Sequence, residues 1–234
     1  YEHAADEIVR MLEGETEDDA DERALQMAAI RRQELEKEGH VCYDVPMGGA
    51  NRVGSIGFAD GYLELTQQMQ ALGKKADFLY HATGTAGTMA GLAAGRKLIG
   101  SSSRIVSVNV SKKDDSYLKK AADLANQTLA YLGVADVCVD PSADVEREGE
   151  FYQPGYEMPG KESTEAIKYL AQREGLFVDP VYSGKALAAL IAHVKSGKIP
   201  QGSCVVFWHT GGATALFAEH EIVGDLSNTL IYDH

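Results

Sequence analysis

The sequence predicts an α/β fold: a mostly parallel open sheet flanked by helices. Three observations carry this prediction. Short apolar runs alternate with helix-forming stretches of roughly 12 to 20 residues along the chain. Several of the apolar runs empty into Gly-rich strings, as strand-to-helix turns do. No internal repeat or low-complexity linker breaks the rhythm.

Residues 1–39 are charged and helical in character. Ala24 to Lys37 holds helix formers throughout, and the acidic run Glu13 to Arg23 reads as a solvated loop and helix face. His40 to Val45 reads as a short strand closed by Pro46-Met47-Gly48-Gly49, with a second helix over Gly54 to Leu72. The apolar run Ala76 to Tyr80 predicts a buried strand, and Ala90 to Gly95, continuing through Ile99, a helix of small residues. Arg104 to Val110 alternates as a strand, Lys113 to Leu132 is an amphipathic helix, and Ala135 to Val139 reads as a further strand. Asp140 to Gly160 is irregular and holds Tyr152, Pro154, Gly155, Tyr156 and Pro159. A helix covers Glu162 to Arg173. Phe177 to Tyr182 leads into another over Gly184 to Lys195, and the strand Ser203 to Trp208 runs into His209-Thr210-Gly211-Gly212. Ligands of open α/β sheets bind beyond the carboxyl ends of the strands. His81 to Thr88, Asp179 to Gly184 and His209 to Gly212 are therefore expected at one shared edge.

Composition narrows the function. Of 234 residues 44% are hydrophobic and 24% charged, which suits a water-soluble domain with a sizeable core. No apolar run approaches the ~18 residues of a membrane span, and no signal peptide is visible. The formal charge of −13 argues against nucleic acid and anionic membranes as partners, because both need clustered Lys and Arg. Cys42, Cys138 and Cys204 are scattered and odd in number, which points to reduced thiols in the cytoplasm. The seven His residues show no zinc-ligand spacing, so no metal site is expected.

The stretch Tyr80 to Gly95, YHATGTAGTMAGLAAG, carries the chemistry. A strand, a loop of Gly, Thr and Ala, and a helix N-terminus together make an anion site, since first-turn N–H groups lack partners and the helix dipole adds positive charge. The same residues also fit a tight turn that needs glycine for sterics alone, and the loop in isolation leaves both readings open. Gly-x-x-x-x-Gly-Lys-Ser/Thr does not occur. The strand after the loop ends in Ser111 rather than a carboxylate, so dinucleotide binding is weakly supported. A phosphate monoester, held by loop N–H groups and the hydroxyls of Thr83, Thr85 and Thr88, fits better.

Taken together, five strings resemble one family: ATGTAGTMAG (82–91), LFVDPVYSGKA (176–186), HTGGATALF (209–217), GGAN (48–51) and PGYEMP (154–159). They are similar to the D-cysteine desulfhydrase / 1-aminocyclopropane-1-carboxylate deaminase family, pyridoxal-5′-phosphate (PLP) enzymes of the tryptophan-synthase-β type, or fold type II. The likeness runs in order from about His40 to Phe217. It implies that Thr83, Gly84, Thr85, Ala86, Gly87 and Thr88 hold the PLP phosphate and that Thr210 places a hydroxyl beside the pyridine nitrogen. It also implies that Tyr182 and Tyr156 face the substrate as catalytic groups. The residues themselves leave open a packed strand-end role for Tyr182 and a loop cap for Tyr156.

The family's deaminases carry Glu after the second tyrosine and Leu before the Gly-Gly pair. Here those positions are Ser183 and Thr210, which favours the desulfhydrase branch. L-cysteate sulfo-lyase is the nearer alternative, because HATG (81–84) and Tyr182-Ser183 resemble its strings. Arg52 offers charge for a sulfonate, but it also reads as a surface arginine at a helix start. The resemblance implies β-elimination on a small amino acid, first D-cysteine to pyruvate, sulfide and ammonia, in a homodimer.

One family feature is missing. The lysine that forms a Schiff base with PLP, in a Gly-Gly-Asn-Lys context, and a Ser-Asn-His segment both belong upstream, and neither string occurs. Lys185 matches an ordinary helix position. The Tyr start and this gap predict a fragment: 1–46 as the remnant of a small domain and 47–234 as a large PLP-binding domain lacking its N-terminal segment. Alone, such a chain is expected to be inactive. The alternative is a short non-catalytic PLP-binding or partner subunit.

Overall fold

The computed structural model describes residues 17–134 and 136–224. The chain divides into two compact units, Tyr1–Val45 and Pro46–His234. In the first unit, helix α1 (Glu17–Lys37) carries ion pairs one turn apart, Arg31–Glu34 at 3.1 Å and Arg32–Glu36 at 2.9 Å. This helix covers Glu17 to Arg23 of the acidic run, and Glu13 to Thr16 lie outside the described residues. The strand expected at His40 to Val45 does not form. Those residues follow the left-handed Gly39 in extended coil, and among the described residues of this unit no strand offers an edge to pair with.

The second unit is built on a four-stranded sheet in which every pairing is parallel, in the order β3-β2-β1-β4. Its strands are β1 (Phe78–Thr83), β2 (Arg104–Asn109), β3 (Glu146–Glu148) and β4 (Val205–Phe207). The central strand β1 is buried along its whole length, which its run of Phe, Leu, Tyr, His and Ala permits. The register Phe78↔Arg104 through Thr83↔Asn109 brings the ends of β1 and β2 level.

Strand periodicity then sorts the two faces. Phe78, Tyr80, Ala82, Val106 and Val108 pack against Ala186 and Ala189 of α6 (Ser183–Lys195), behind which lies α5 (Lys161–Glu174). Leu79 and Ile105 point the other way, toward Tyr62 of α2 (Ile56–Ala71) and Leu92 of α3 (Gly87–Leu98), with α4 (Tyr117–Tyr131) completing that layer. Helices cover both faces, so parallel strands lose no hydrogen bonds to water. Gly91 and Gly95 let α2 and α3 touch backbone to backbone. A Cβ on Gly91 would lie 2.3 Å from the Ser55 carbonyl oxygen, and one on Gly95 2.5 Å from that of Ala59. A 3₁₀ turn (Ala213–Ala218) and the short helix α7 (His220–Val223) close the described chain.

Two strand expectations need correction. Ala135 lies outside the described residues, and Asp136 to Val139 forms no strand. The Asn126 side chain accepts from the Val139 N–H at 2.7 Å and donates to its carbonyl at 3.0 Å, so a helix side chain satisfies that backbone. The strand β3 instead falls inside the irregular stretch, in the sequence Glu-Arg-Glu, which has no apolar signal. It is an edge strand paired in parallel with β2 from Val106↔Glu146 to Val108↔Glu148, with Arg104 on Glu146 at 2.7 Å beside it.

Candidate active site

The glycine-rich loop runs off the carboxyl end of β1 into the first turn of α3. No side chain caps this helix, and Gly87 and Met89 in its first turn are buried. A buried helix start without a cap leaves N–H groups with no partner inside the helix and a positive dipole end, a setting suited to an anion. Ala86, the residue before the helix, sits in the left-handed region at φ 74°, which costs a non-glycine residue about 1–2 kcal/mol. The Tyr117 phenol braces the loop on either side of Gly84: it accepts from the Thr83 hydroxyl at 2.7 Å and donates to the Gly84 carbonyl at 3.1 Å. Burial, partly offset by the Thr83 bond, pushes the Tyr117 phenol up to about 12.

The loop's three threonines therefore differ. Thr83 is buried and its hydroxyl is spent on Tyr117, inside the fold. Thr85 and Thr88 are half-buried, at the loop and in the first helical turn. The Gly48-Gly49 turn roofs Thr85: a Cβ on Gly48 would lie 2.4 Å from its Oγ1. A Cβ on Gly87 would likewise lie 3.3 Å from Ala50 Cα, so Gly48 and Ala50 of the small-residue string pack on the loop.

Tyr182 caps the same space. A Cβ on Gly84 would stand 3.7 Å from Tyr182 Cε1 and 3.5 Å from Val110 Cγ2, so the phenol ring lies over the loop. Its position is set by Asp179, which is buried and accepts from the backbone N–H of Val181, Tyr182 and Ser183 at 2.9, 2.7 and 2.7 Å. This carboxylate caps α6 and aims Tyr182 together. Tyr156 arrives from the turn closed by the Gly155–Met158 bridge, and its hydroxyl is hydrogen-bonded to that of Tyr182. The two rings meet edge to face at 6.0 Å, each about two-fifths exposed.

The third string joins through the same aspartate. Gly212, at φ 85°, approaches so closely that a Cβ would lie 2.9 Å from Asp179 Cγ. His209 accepts from the Gly211 N–H at Nδ1 (3.0 Å) and donates from Nε2 to the Phe177 carbonyl at 2.8 Å, which fixes its tautomer and ties the loop down. Thr210 lies exposed between them. The strings at 81–88, 179–184 and 209–212 are thus brought to one edge of the sheet.

Two residues weighed from the sequence lie elsewhere. Arg52 is exposed and stacks its guanidinium 5.0 Å from the Tyr131 ring centroid. His81 is fully buried, donating from Nδ1 to the Ala82 carbonyl at 2.8 Å and accepting from the Ser107 hydroxyl at 2.7 Å. The HATG string therefore begins with a core histidine. Sequence reasoning missed Tyr117, whose only signal is a lone aromatic at a helix start, and passed over the capping role of Asp179, visible as Asp followed four residues later by Ser.

Comparison with known proteins places this arrangement. Residues 2–211 match the family model of pyridoxal-phosphate-dependent enzymes. The chain is 38% identical over 186 residues to the D-cysteine desulfhydrase of Serratia proteamaculans (strain 568), covering 80% of this chain and 55% of that protein. Among solved structures, an ACC deaminase homologue superposes with a TM-score of 0.75 at 28% identity, over 86% of this chain and 59% of its own. An O-ureido-L-serine synthase shares the fold, with a TM-score of 0.56 at 15% identity over 87% of this chain and 59% of its own. The chain spans little more than half the length of these relatives. From the parallel sheet, the loop at its carboxyl edge and the matched family model together, the chain belongs to the pyridoxal-phosphate-dependent enzymes of fold type II, related to D-cysteine desulfhydrase and ACC deaminase.

Proposed function

We propose that this chain is the cofactor-binding part of a lyase that carries out β-elimination on a small amino acid, D-cysteine first, giving pyruvate, sulfide and ammonia. The observation that carries the reading is the buried, uncapped start of α3 with the Tyr182 ring laid over Gly84. A phosphate fits there. The loop carries no acidic side chain, its walls are Gly and Ala, and Thr85 and Thr88 offer hydroxyls beside the free N–H groups of the first turn. Gly84, Thr85, Ala86, Gly87 and Thr88 are the proposed phosphate ligands, while Thr83 acts behind them through Tyr117. Thr210 is the proposed hydroxyl partner of the ring nitrogen.

When bound, PLP supplies an electron sink for charge released at the substrate's Cα. The chain's own residues bind, orient and move protons. Tyr182, fixed through its backbone by Asp179, presents its hydroxyl next to the phosphate end of the site. The phenols of Tyr156 and Tyr182 share one hydrogen bond, so the phenol that accepts it keeps its own O–H proton to give. A thiolate leaving from Cβ takes its proton from that phenol.

The 38% identity with a D-cysteine desulfhydrase supports sulfide as the product. The sulfo-lyase alternative rests on string resemblance alone, and His81, buried in the core, adds no leaving-group contact to it. Ring opening, the deaminase reaction, remains the third reading, and Ser183, spent on Asp179, stands where that branch carries Glu. The complete gene product, assayed for sulfide from D-cysteine against sulfite from L-cysteate, decides among them. Sulfite without sulfide overturns the first choice. A complete gene product that binds PLP yet turns over neither substrate nor the cyclopropane would favour the non-catalytic subunit.

A further inference from the structure

Lys185 has no place in the chemistry above, yet its placement is costly. It lies in the first turn of α6 and is fully buried, among the largest side chains with no exposed surface. An ammonium in such a position is tolerated only when all its protons are bonded. Among the described residues no carboxylate touches it. Its Nζ instead donates to three backbone carbonyls: Gly155 at 2.5 Å, Tyr152 at 3.0 Å and Val110 at 3.2 Å. Three donors meet three acceptors, so the site is fully satisfied by main chain alone.

The three carbonyls come from two segments that share no strand pairing, and both adjoin the tyrosine pair. Val110 follows β2 and lines Gly84 opposite Tyr182. Tyr152 and Gly155 belong to the turn that carries Tyr156. Because the Gly155 carbonyl shares its peptide plane with the Tyr156 N–H, anchoring that oxygen orients the backbone from which Tyr156 projects. At the other end, Tyr182 stands three residues before Lys185, on the same side of α6. One ammonium therefore links the base of Tyr156, the N-terminus of the helix that bears Tyr182, and the wall of the loop beneath them. A Leu or Met at this position would fill the core without any desolvation cost, which makes packing a poor reason for a lysine.

We propose that Lys185 is a positioning residue for the tyrosine pair, holding the 152–156 turn by its carbonyls so that the Tyr156 hydroxyl meets that of Tyr182. The functional value of the pair rests on the reading given above, but the positioning itself is tested without turnover. Lys185→Met keeps the stem and removes the ammonium. In this variant, photo-oxidative dityrosine coupling of Tyr156 to Tyr182, mapped by mass spectrometry of the joined peptides, falls at least about fivefold. Amide exchange at Tyr156 quickens on the order of tenfold or more, as expected when bonds to a charged donor are lost.

Asp144→Ala is the control for general loosening, since it breaks ion pairs with Arg96 and Lys97 away from the tyrosines. It leaves coupling and exchange unchanged. Equal effects in both variants, or none in Lys185→Met, overturn the proposal. If Lys185→Met does not fold, the unsubstituted protein decides by nitrogen-15 lysine NMR. The Lys185 ammonium protons then exchange with water at least a hundredfold more slowly than those of the exposed lysines, and exchange at the common rate overturns the assignment. Failure of the lyase assay leaves these outcomes untouched, so the two readings fall separately.

Discussion

The contact between α2 and α3 gives the sharpest test of the packing, because the same substitution is expected to act in opposite directions at two glycines. Gly91 lies in α3 facing α2. A Cβ there would lie 2.3 Å from the Ser55 carbonyl oxygen and 2.6 Å from Phe58 Cβ. Ordinary contact needs about 3.5 Å, so α2 must retreat by roughly 1 Å. Both obstacles sit on or next to main chain, and no flexible side-chain end can give way. Overpacking of this kind costs about 1–3 kcal/mol, and the opened seam loses dispersion as well. Alanine's better helix propensity returns about 1 kcal/mol. The clash wins, and Gly91→Ala is destabilising by about 2 kcal/mol. Gly57 is exposed near the start of α2, and a Cβ there would meet no atom within 4 Å, so Gly57→Ala feels only the propensity term. It stabilises by about 0.5 kcal/mol, less than at mid-helix because the site is in the first turn. Urea unfolding of both variants measures the difference, with midpoints moving apart and slopes unchanged. Midpoints that shift in the same direction refute the close approach of these helices.

Three further outcomes follow from the site and the core. Tyr117→Phe removes the hydroxyl that holds Thr83 and Gly84, and PLP affinity falls about tenfold by equilibrium dialysis, the equivalent of roughly 1.4 kcal/mol. The same variant flattens the alkaline limb of stability. The folded Tyr117 phenol lies at about 12, above its unfolded value of about 10, so its contribution is complete below pH 10 and is lost as pH rises toward 12. At the acid end, burial lowers His81 to about 4 despite its bond to Ala82. Its neutral form is favoured in the fold, so stability is full above the unfolded value of about 6.5 and declines as pH falls toward 4. The unsubstituted protein loses on the order of 3 kcal/mol more than His81→Gln over that window in denaturant titrations. Tyr182→Phe in the complete gene product lowers kcat for β-elimination on the order of a hundredfold with KM little changed, and an unaltered kcat removes Tyr182 from proton transfer.

Much of this fold is visible in residue pattern alone, and the reason is local. The run Phe78 to Thr83 is apolar or small at every position but His81, as suits a strand covered on both faces, and α3 follows in a stretch rich in Gly and Ala. The failures share another cause. His40 to Val45 and Asp136 to Val139 carry strand-like residues, but a strand exists only where a second strand offers an edge, and sequence pattern does not say where edges are. At Val139 the deciding group is Asn126, thirteen residues away, whose amide replaces the ladder. The short β3 errs in the opposite sense. Glu146, Arg147 and Glu148 would pass for a surface loop, yet Val106↔Glu146 pairing makes them an edge strand.

The site shows the same division one level up. Glycine strings are legible because close approach leaves a compositional mark: Gly48 against Thr85, Gly84 against Tyr182, Gly212 against Asp179. The polar groups that fix the loops leave none. Tyr117, Asp179 and Lys185 act on backbone N–H and carbonyl groups, which every sequence possesses, so no partner residue signals the bond. Their importance follows from burial. Each places a phenol, carboxylate or ammonium where water cannot serve, and each is repaid by bonds that hold main chain in one geometry. All three grip segments next to Gly84, Tyr182 or Tyr156. A glycine-rich loop with one strained residue and two tyrosines on separate segments have little rigidity of their own. The rigidity comes from these three buried polar anchors, and removing any one of them should disturb the site before it disturbs the sheet.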